Sequence, residues 1–247
     1  MRYNTRSIAG SFMQLLSDLH KEGDWKMLQP DEYISGMISL MKERFGKRLL
    51  YVGLQGSYLR GEADRESDID IMTVLDFLSV EDLNVYRQVV EENGHAEKAC
   101  GFLCGKDELA HWNPCEICHL LHTTKDYYGK LSSLVPSYTI EDERTYLKIS
   151  LNNLYHELCH RYIHRSPEDN VSLLPYSYKS VFFILQNMYY LKTSHFPLSK
   201  AELLPLLQGR DREVLTMSVE LKKGSPFDFE AAFSLLFTWC QDAQTGL

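Results

Sequence analysis

Apolar side chains recur three and four positions apart over residues 7–22 and 31–45, so both stretches are predicted as amphipathic helices. Ile34, Met37, Ile38, Leu40 and Met41 mark the buried face of the second. Leu49 to Leu54 is instead a continuous run of apolar, β-branched and aromatic residues stopped by Gly56, the pattern of a buried strand. Ile69 to Leu75 repeats it after a polar loop. Helical spacing returns over 79–93, and 99–104 and 116–123 are predicted as two further short strands.

Beyond Leu134 the pattern changes. Val135-Pro136-Ser137 breaks it, and the segments 141–164, 176–193, 199–207, 210–222 and 227–243 all show helical spacing. Pro167, Pro175, Pro197 and the Gly224-Ser225-Pro226 turn separate them. There is no internal repeat. Strands mixed with helices, followed by helices alone, imply an α/β domain over residues 1–137 and a helical bundle domain over 138–247.

Composition narrows the partners rather than the fold. With 26 Lys+Arg against 34 Asp+Glu, the net charge of −8 argues against a nucleic-acid partner, which needs clustered basic residues. The opening Met-Arg-Tyr-Asn-Thr-Arg lacks the apolar stretch of a secretory signal. The longest apolar runs, such as Val181 to Leu185, fall far short of the roughly 20 residues that span a bilayer, so no membrane partner is expected. Six cysteines in that context are expected as reduced thiols in a cytoplasmic protein. Nothing in the sequence bears on the oligomeric state.

Candidate chemistry concentrates in Leu54-Gln-Gly-Ser-Tyr-Leu-Arg-Gly-Glu-Ala-Asp-Arg-Glu-Ser-Asp-Ile-Asp-Ile71. Residues two apart on a strand share a face, so Asp68 and Asp70 present paired carboxylates while Ile69 turns to the core. Such a pair repels unless a cation neutralises it, and Mg²⁺ takes one or two carboxylates plus substrate phosphates. Gly56 permits close backbone approach to a ligand, and Ser57 offers an N–H and a hydroxyl to phosphate oxygens. Arg60, with Arg65 as a second candidate, adds charge-assisted bonds to a triphosphate.

Gly56-Ser57, Arg60-Gly61 and Ser67-Asp68-Ile69-Asp70, with ten residues between Ser57 and Asp68, resemble the signature of the DNA polymerase β-type nucleotidyltransferases. The resemblance implies a mixed-sheet nucleotidyltransferase domain in which Asp68 and Asp70 hold Mg²⁺ on the nucleotide phosphates. Gly56, Ser57, Arg60 and Ser67 then belong to the nucleotide site. That family usually supplies a third carboxylate from a later strand, as metal ligand or as base. Glu116, opening the run Ile117 to Leu121, is the expected residue, with Glu97 and Asp107 as competitors. Tyr178 to Thr193 and Ser199 to Leu203 resemble the helical C-terminal domain of antibiotic nucleotidyltransferases, which move AMP from ATP to a drug hydroxyl. Lys179 is expected either to reach the phosphates across the cleft or to snorkel at the surface.

Other motifs compete for attention. His156-Glu157-Leu-Cys-His160 matches the helix of zinc proteases, and His164 extends its face, but the metzincin continuation is missing. Cys115-Glu-Ile-Cys-His119 spells a c-type haem attachment motif without an export signal, and is read as coincidence. Cys100, Cys104, Cys115 and Cys118 have spacings compatible with structural zinc, although buried free thiols are the plainer expectation. Tyr176, Tyr178, Phe182, Phe183, Tyr189 and Tyr190 are expected mostly in the core.

The expectation is a Mg²⁺-dependent enzyme that moves a nucleoside monophosphate, AMP from ATP, onto a hydroxyl of a small molecule such as an aminoglycoside. The alternatives are an antitoxin-like nucleotidyltransferase that modifies a protein partner and, further off, a zinc metalloprotease.

Overall fold

The computed structural model describes residues 28–247; the helix predicted over 7–22 lies outside the described residues. Helix α1 (Pro30–Phe45) starts with proline in its first turn, beside Asp31 and Glu32, and ends with Lys42 and Arg44, charges that suit the two ends of the helix dipole. Its buried residues, Tyr33, Ile34, Met37, Met41 and Phe45, recur every three or four positions and lie against one face of a sheet.

That sheet contains β1 (Leu49–Gln55), β2 (Ile69–Leu75), β3 (Ala99–Gly105) and β4 (Lys125–Tyr128) in the order β3-β2-β1-β4. β1 runs antiparallel to β2 and β4, while β2 and β3 are parallel, so the sheet is mixed. Between β1 and β2 stands the single-turn helix α2 (Gly56–Leu59). Helix α3 (Val80–Asn93), capped by a reciprocal Ser79–Asp82 box, makes the crossover from β2 to β3.

After β3 come α4 (Lys106–Ala110) and α5 (Pro114–His122). The second corrects an expectation: 116–123 is a helix, not a strand. Asn113 accepts from the Cys115 N–H as N-cap and Pro114 occupies the first turn, which commits the backbone to a helix. The fourth strand lies just beyond, at β4.

The remaining chain is helical: α6 (Ile140–His164), α7 (Pro167–Ser177), α8 (Lys179–Thr193), the short α9 (Lys200–Leu203), α10 (Gly209–Lys222) and α11 (Phe229–Thr245). Pro175, expected as a breaker, sits inside α7, two residues before its end. Among the described residues, no helix is long and apolar enough to cross a membrane.

Apolar side chains form separate clusters. Leu49, Val52, Leu54, Ile69, Ile71 and Leu75 pack with α1 on one face of the sheet. Tyr51, Met72 and Val74 pack on the other with Leu109, Leu131, Trp112 and Val135. A third cluster, running from Leu147 to Ala243 with Tyr178, Phe182 and Trp239 fully buried, belongs to the helices alone. Phe102, Trp112 and Leu120 beside the second cluster and Tyr146 and Phe183 beside the third line a common cleft.

Candidate functional site

β1 ends where the chain must turn sharply, and Gly56 supplies the turn. Its φ is +71°, a left-handed conformation that costs a side-chain-bearing residue about 1–2 kcal/mol. A Cβ at Gly56 would stand 1.8 Å from the carboxylate oxygen Oδ2 of Asp70. Gly56 and the second aspartate are thus packed against each other, with no room for a side chain between them. Asp70 pairs across the sheet with Gln55, the residue just before the turn.

Asp68 lies just before β2 and is exposed, while Asp70 is half-buried one position inside it. They share the sheet face of Met72 and Val74 with Ile69 turned to the opposite core, as the alternation requires. Burial pushes the Asp70 carboxyl above its ordinary value. The Cys100 thiol and the Arg60 charge pull it down, and the Asp68 charge adds to the upward push. Two hard carboxylates, one destabilised by burial and by its neighbour, fit a Mg²⁺ ion that completes its shell with water and phosphate oxygens.

Asp70 opens on a cleft of about 490 Å³, whose wall includes Gly56, Arg60, Trp112, Glu116, His119 and Phe183. Glu116 therefore reaches the same space as Asp70, but from the first turn of a helix rather than from a strand. The Trp112 indole N–H donates to its Oε2 at 2.5 Å, which fixes the carboxylate. The strand position beside Asp70 is filled by Cys100 of β3, in register with it. β3 carries no carboxylate, and neither Glu97 nor Asp107 lines this cleft.

His119 is one turn beyond Glu116. Its Nδ1 lies 3.0 Å from the Asn187 Nδ2 of α8, and its ring stacks on Tyr146. Burial lowers its pKa to about 4, so the ring is neutral near pH 7.

Arg60 lines the same cleft, and Lys200 joins it through Glu62. Arg60 donates through Nε to Glu62 at 3.2 Å, and its guanidinium lies 5.6 Å from the Phe183 ring centroid. Glu62 also accepts from the Lys200 backbone N–H at 2.7 Å and from its Nζ at 3.1 Å. Burial works to raise the Glu62 pKa, but the Lys200 amide and ammonium and the Arg60 hydrogen bond outweigh it and hold it low. The Lys200 ammonium is pushed down by burial, with the Arg60 and Lys222 charges adding to the push. Lys200 was not singled out by sequence reasoning; the only local hint was Ser199 as N-cap of α9. Lys179 instead stands over the Tyr176 ring at 4.5 Å, away from the residues lining the cleft.

Ser57 accepts the Glu62 N–H through its carbonyl, tightening the turn. Ser67 closes the polar loop by donating its hydroxyl to Asp64 at 3.0 Å. The Arg65 carbonyl accepts from the Lys98 Nζ at 2.8 Å.

The competing motifs are not assembled. Through Oε1, Glu157 pairs with Arg161 at 2.8 Å and accepts from Ser177 at 2.7 Å, which ties the carboxylate a protease would use as base to Arg161 and α7. Cys115 and Cys118 share α5, Cys118 being buried with its thiol pushed up to about 12. Among the described residues no group of three or more Cys, His, Asp or Glu could hold a metal ion, so the four cysteines do not converge on a zinc site. Tyr178 and Phe182 are core residues, while Phe183 reaches the cleft.

Residues 34–104 match the family profile described as a nucleotidyltransferase domain. The spectinomycin adenyltransferase AAD(9) from Enterococcus faecialis, solved with ATP and spectinomycin, has a similar fold. Its TM-score is 0.56 at 13% identity, over 87% of this chain and 98% of that one. A toxin–antitoxin structure with AMP-PNP also matches, at TM-score 0.29 and 22% identity, over 52% of this chain and 92% of that one. No curated protein is similar in sequence.

Proposed function

We propose that this chain, whose residues 34–104 match a nucleotidyltransferase domain model and whose fold resembles that of an adenyltransferase, moves AMP from ATP onto a hydroxyl of a small molecule, such as an aminoglycoside-type antibiotic. The observation that carries this reading is the Gly56 turn locked against Asp70 at the mouth of a cleft that also holds Glu116 and Arg60. In this reading residues 1–137 form the catalytic domain and 138–247 the helical domain that encloses the acceptor.

The acceptor oxygen attacks the α-phosphorus, forming the new O–P bond as the bond to the β-phosphate oxygen breaks and pyrophosphate departs. Glu116, which lines the cleft, takes the proton of the acceptor hydroxyl, while the Trp112 indole N–H donates to its Oε2. Gly56, Ser57, Arg60 and Ser67 form the end of the site that receives the leaving pyrophosphate. Lys200 belongs with them, since its ammonium shares Glu62 with Arg60. Asp68 and Asp70 would hold Mg²⁺, which supplies charge neutralisation of the triphosphate.

The test incubates the protein with Mg²⁺, labelled ATP and a panel of hydroxylated antibiotics. Asp70→Asn is expected to abolish label transfer without altering the circular dichroism spectrum. Glu116→Gln is expected to slow transfer by about 10²–10⁴-fold with ATP binding retained. Wild-type turnover in Asp70→Asn would overturn the reading.

A further inference from the structure

The protease-like motif of α6, which the cleft does not use, carries a separate chemistry. His156, His160 and His164 follow at four-residue intervals on this helix, and all three are exposed. Four residues is little more than one helical turn, so the rings stand one above another on a single face. The ring centroids of His156 and His160 are 6.0 Å apart, and those of His160 and His164 are 4.8 Å apart. Among the described residues no hydrogen bond or ion pair engages any of the three rings, so their lone pairs are free for a ligand. None of them lines the cleft.

We propose that this face is a surface site for a borderline divalent transition-metal ion of the Zn²⁺ class. Neutral imidazoles favour such ions, with Zn–N distances of about 2.0–2.1 Å, and two rings one turn apart on a helix offer both nitrogens to one ion. No three donors converge among the described residues, so the ion is held by two imidazoles and completed by water. His160 belongs to both neighbouring pairs and is the pivot, while His164, nearer to it than His156, is the preferred second ligand. Glu157, tied to Arg161 and Ser177, takes no part, so the site binds a metal without the base that proteolysis requires. Mg²⁺, which takes oxygen ligands, does not compete there.

Calorimetric titration of the full chain with ZnCl₂ in excess Mg²⁺ tests this. One ion per chain is expected to bind. His160→Ala should weaken that binding by about tenfold or more, and His164→Ala by more than His156→Ala. All three positions are exposed, so the variants should keep the wild-type circular dichroism spectrum. As an independent readout, Ni²⁺ should broaden the imidazole C–H resonances of these histidines before those of the other six. Absence of Zn²⁺ binding, an unchanged isotherm in His160→Ala, or loss of the site in Cys100→Ser instead would overturn the proposal.

Discussion

Gly56 is the residue whose replacement has the most predictable consequence. In Gly56→Ala the new methyl group must displace Asp70 and also hold a left-handed backbone. Transfer activity should fall by about 10²-fold, the scale of a 1 Å misplacement at a reacting centre. Steady-state assay beside a melting curve checks this, with the protein still folded. His119 makes a prediction of another kind. Its pKa is lowered by burial from 6.5 to about 4, so the folded state resists protonation. The stability this neutral ring contributes is complete above pH 6.5 and is lost as the pH falls through about 4. Comparing urea midpoints of wild type and His119→Gln from pH 7 to 4 should show the steeper decline in wild type, by at most roughly 3 kcal/mol. Single residues were legible from sequence where chemistry is local. The glycine turn and the two aspartates lie within fifteen residues of one another. Lys200 was not legible, because its meeting with Glu62 spans 138 positions and only the folded helices bring it there.

At the scale of elements, the instructive case is α5. Cys115 to Leu121 is a short apolar run, and over seven residues periodicity does not separate a buried strand from a buried helix. The deciding signal was Asn113-Pro114, an N-cap and first-turn pair. β4, with the sequence Lys-Asp-Tyr-Tyr, is too short and too polar to announce itself. The long helices of the second half were legible because each carries several turns of apolar spacing, with side-chain N-caps opening α6, α7 and α11. Helix α6 opens with a reciprocal Thr139–Asp142 box, the Thr139 side chain accepting from the Asp142 N–H at 3.3 Å and the Asp142 side chain accepting from the Thr139 N–H at 2.7 Å. Thr139→Ala should therefore lower stability by about 1 kcal/mol, read as a shift in urea midpoint with unchanged slope.

At the scale of the whole molecule, an apolar cluster on the sheet and another among the helices face each other across the cleft. Polar ties cross the gap: Glu62 to Lys200, His119 to Asn187, and Asp64 to Lys222 at 3.4 Å. In a double-mutant cycle, Glu62→Gln with Lys200→Met should show a coupling of about 1.5–3 kcal/mol, the range for hydrogen bonds to charged groups. The two ion pairs differ in their surroundings. The side chains of Glu62 and Lys200 are 17% and 21% exposed, whereas those of Asp64 and Lys222 are 54% and 53%. Dissolved ions thus reach one pair far more readily than the other. Screening shortens to about 3 Å at 1 M salt, so a brine weakens the outer tie while leaving the inner one in place. Of these two ion pairs, ionic strength undoes the outer one and spares the inner.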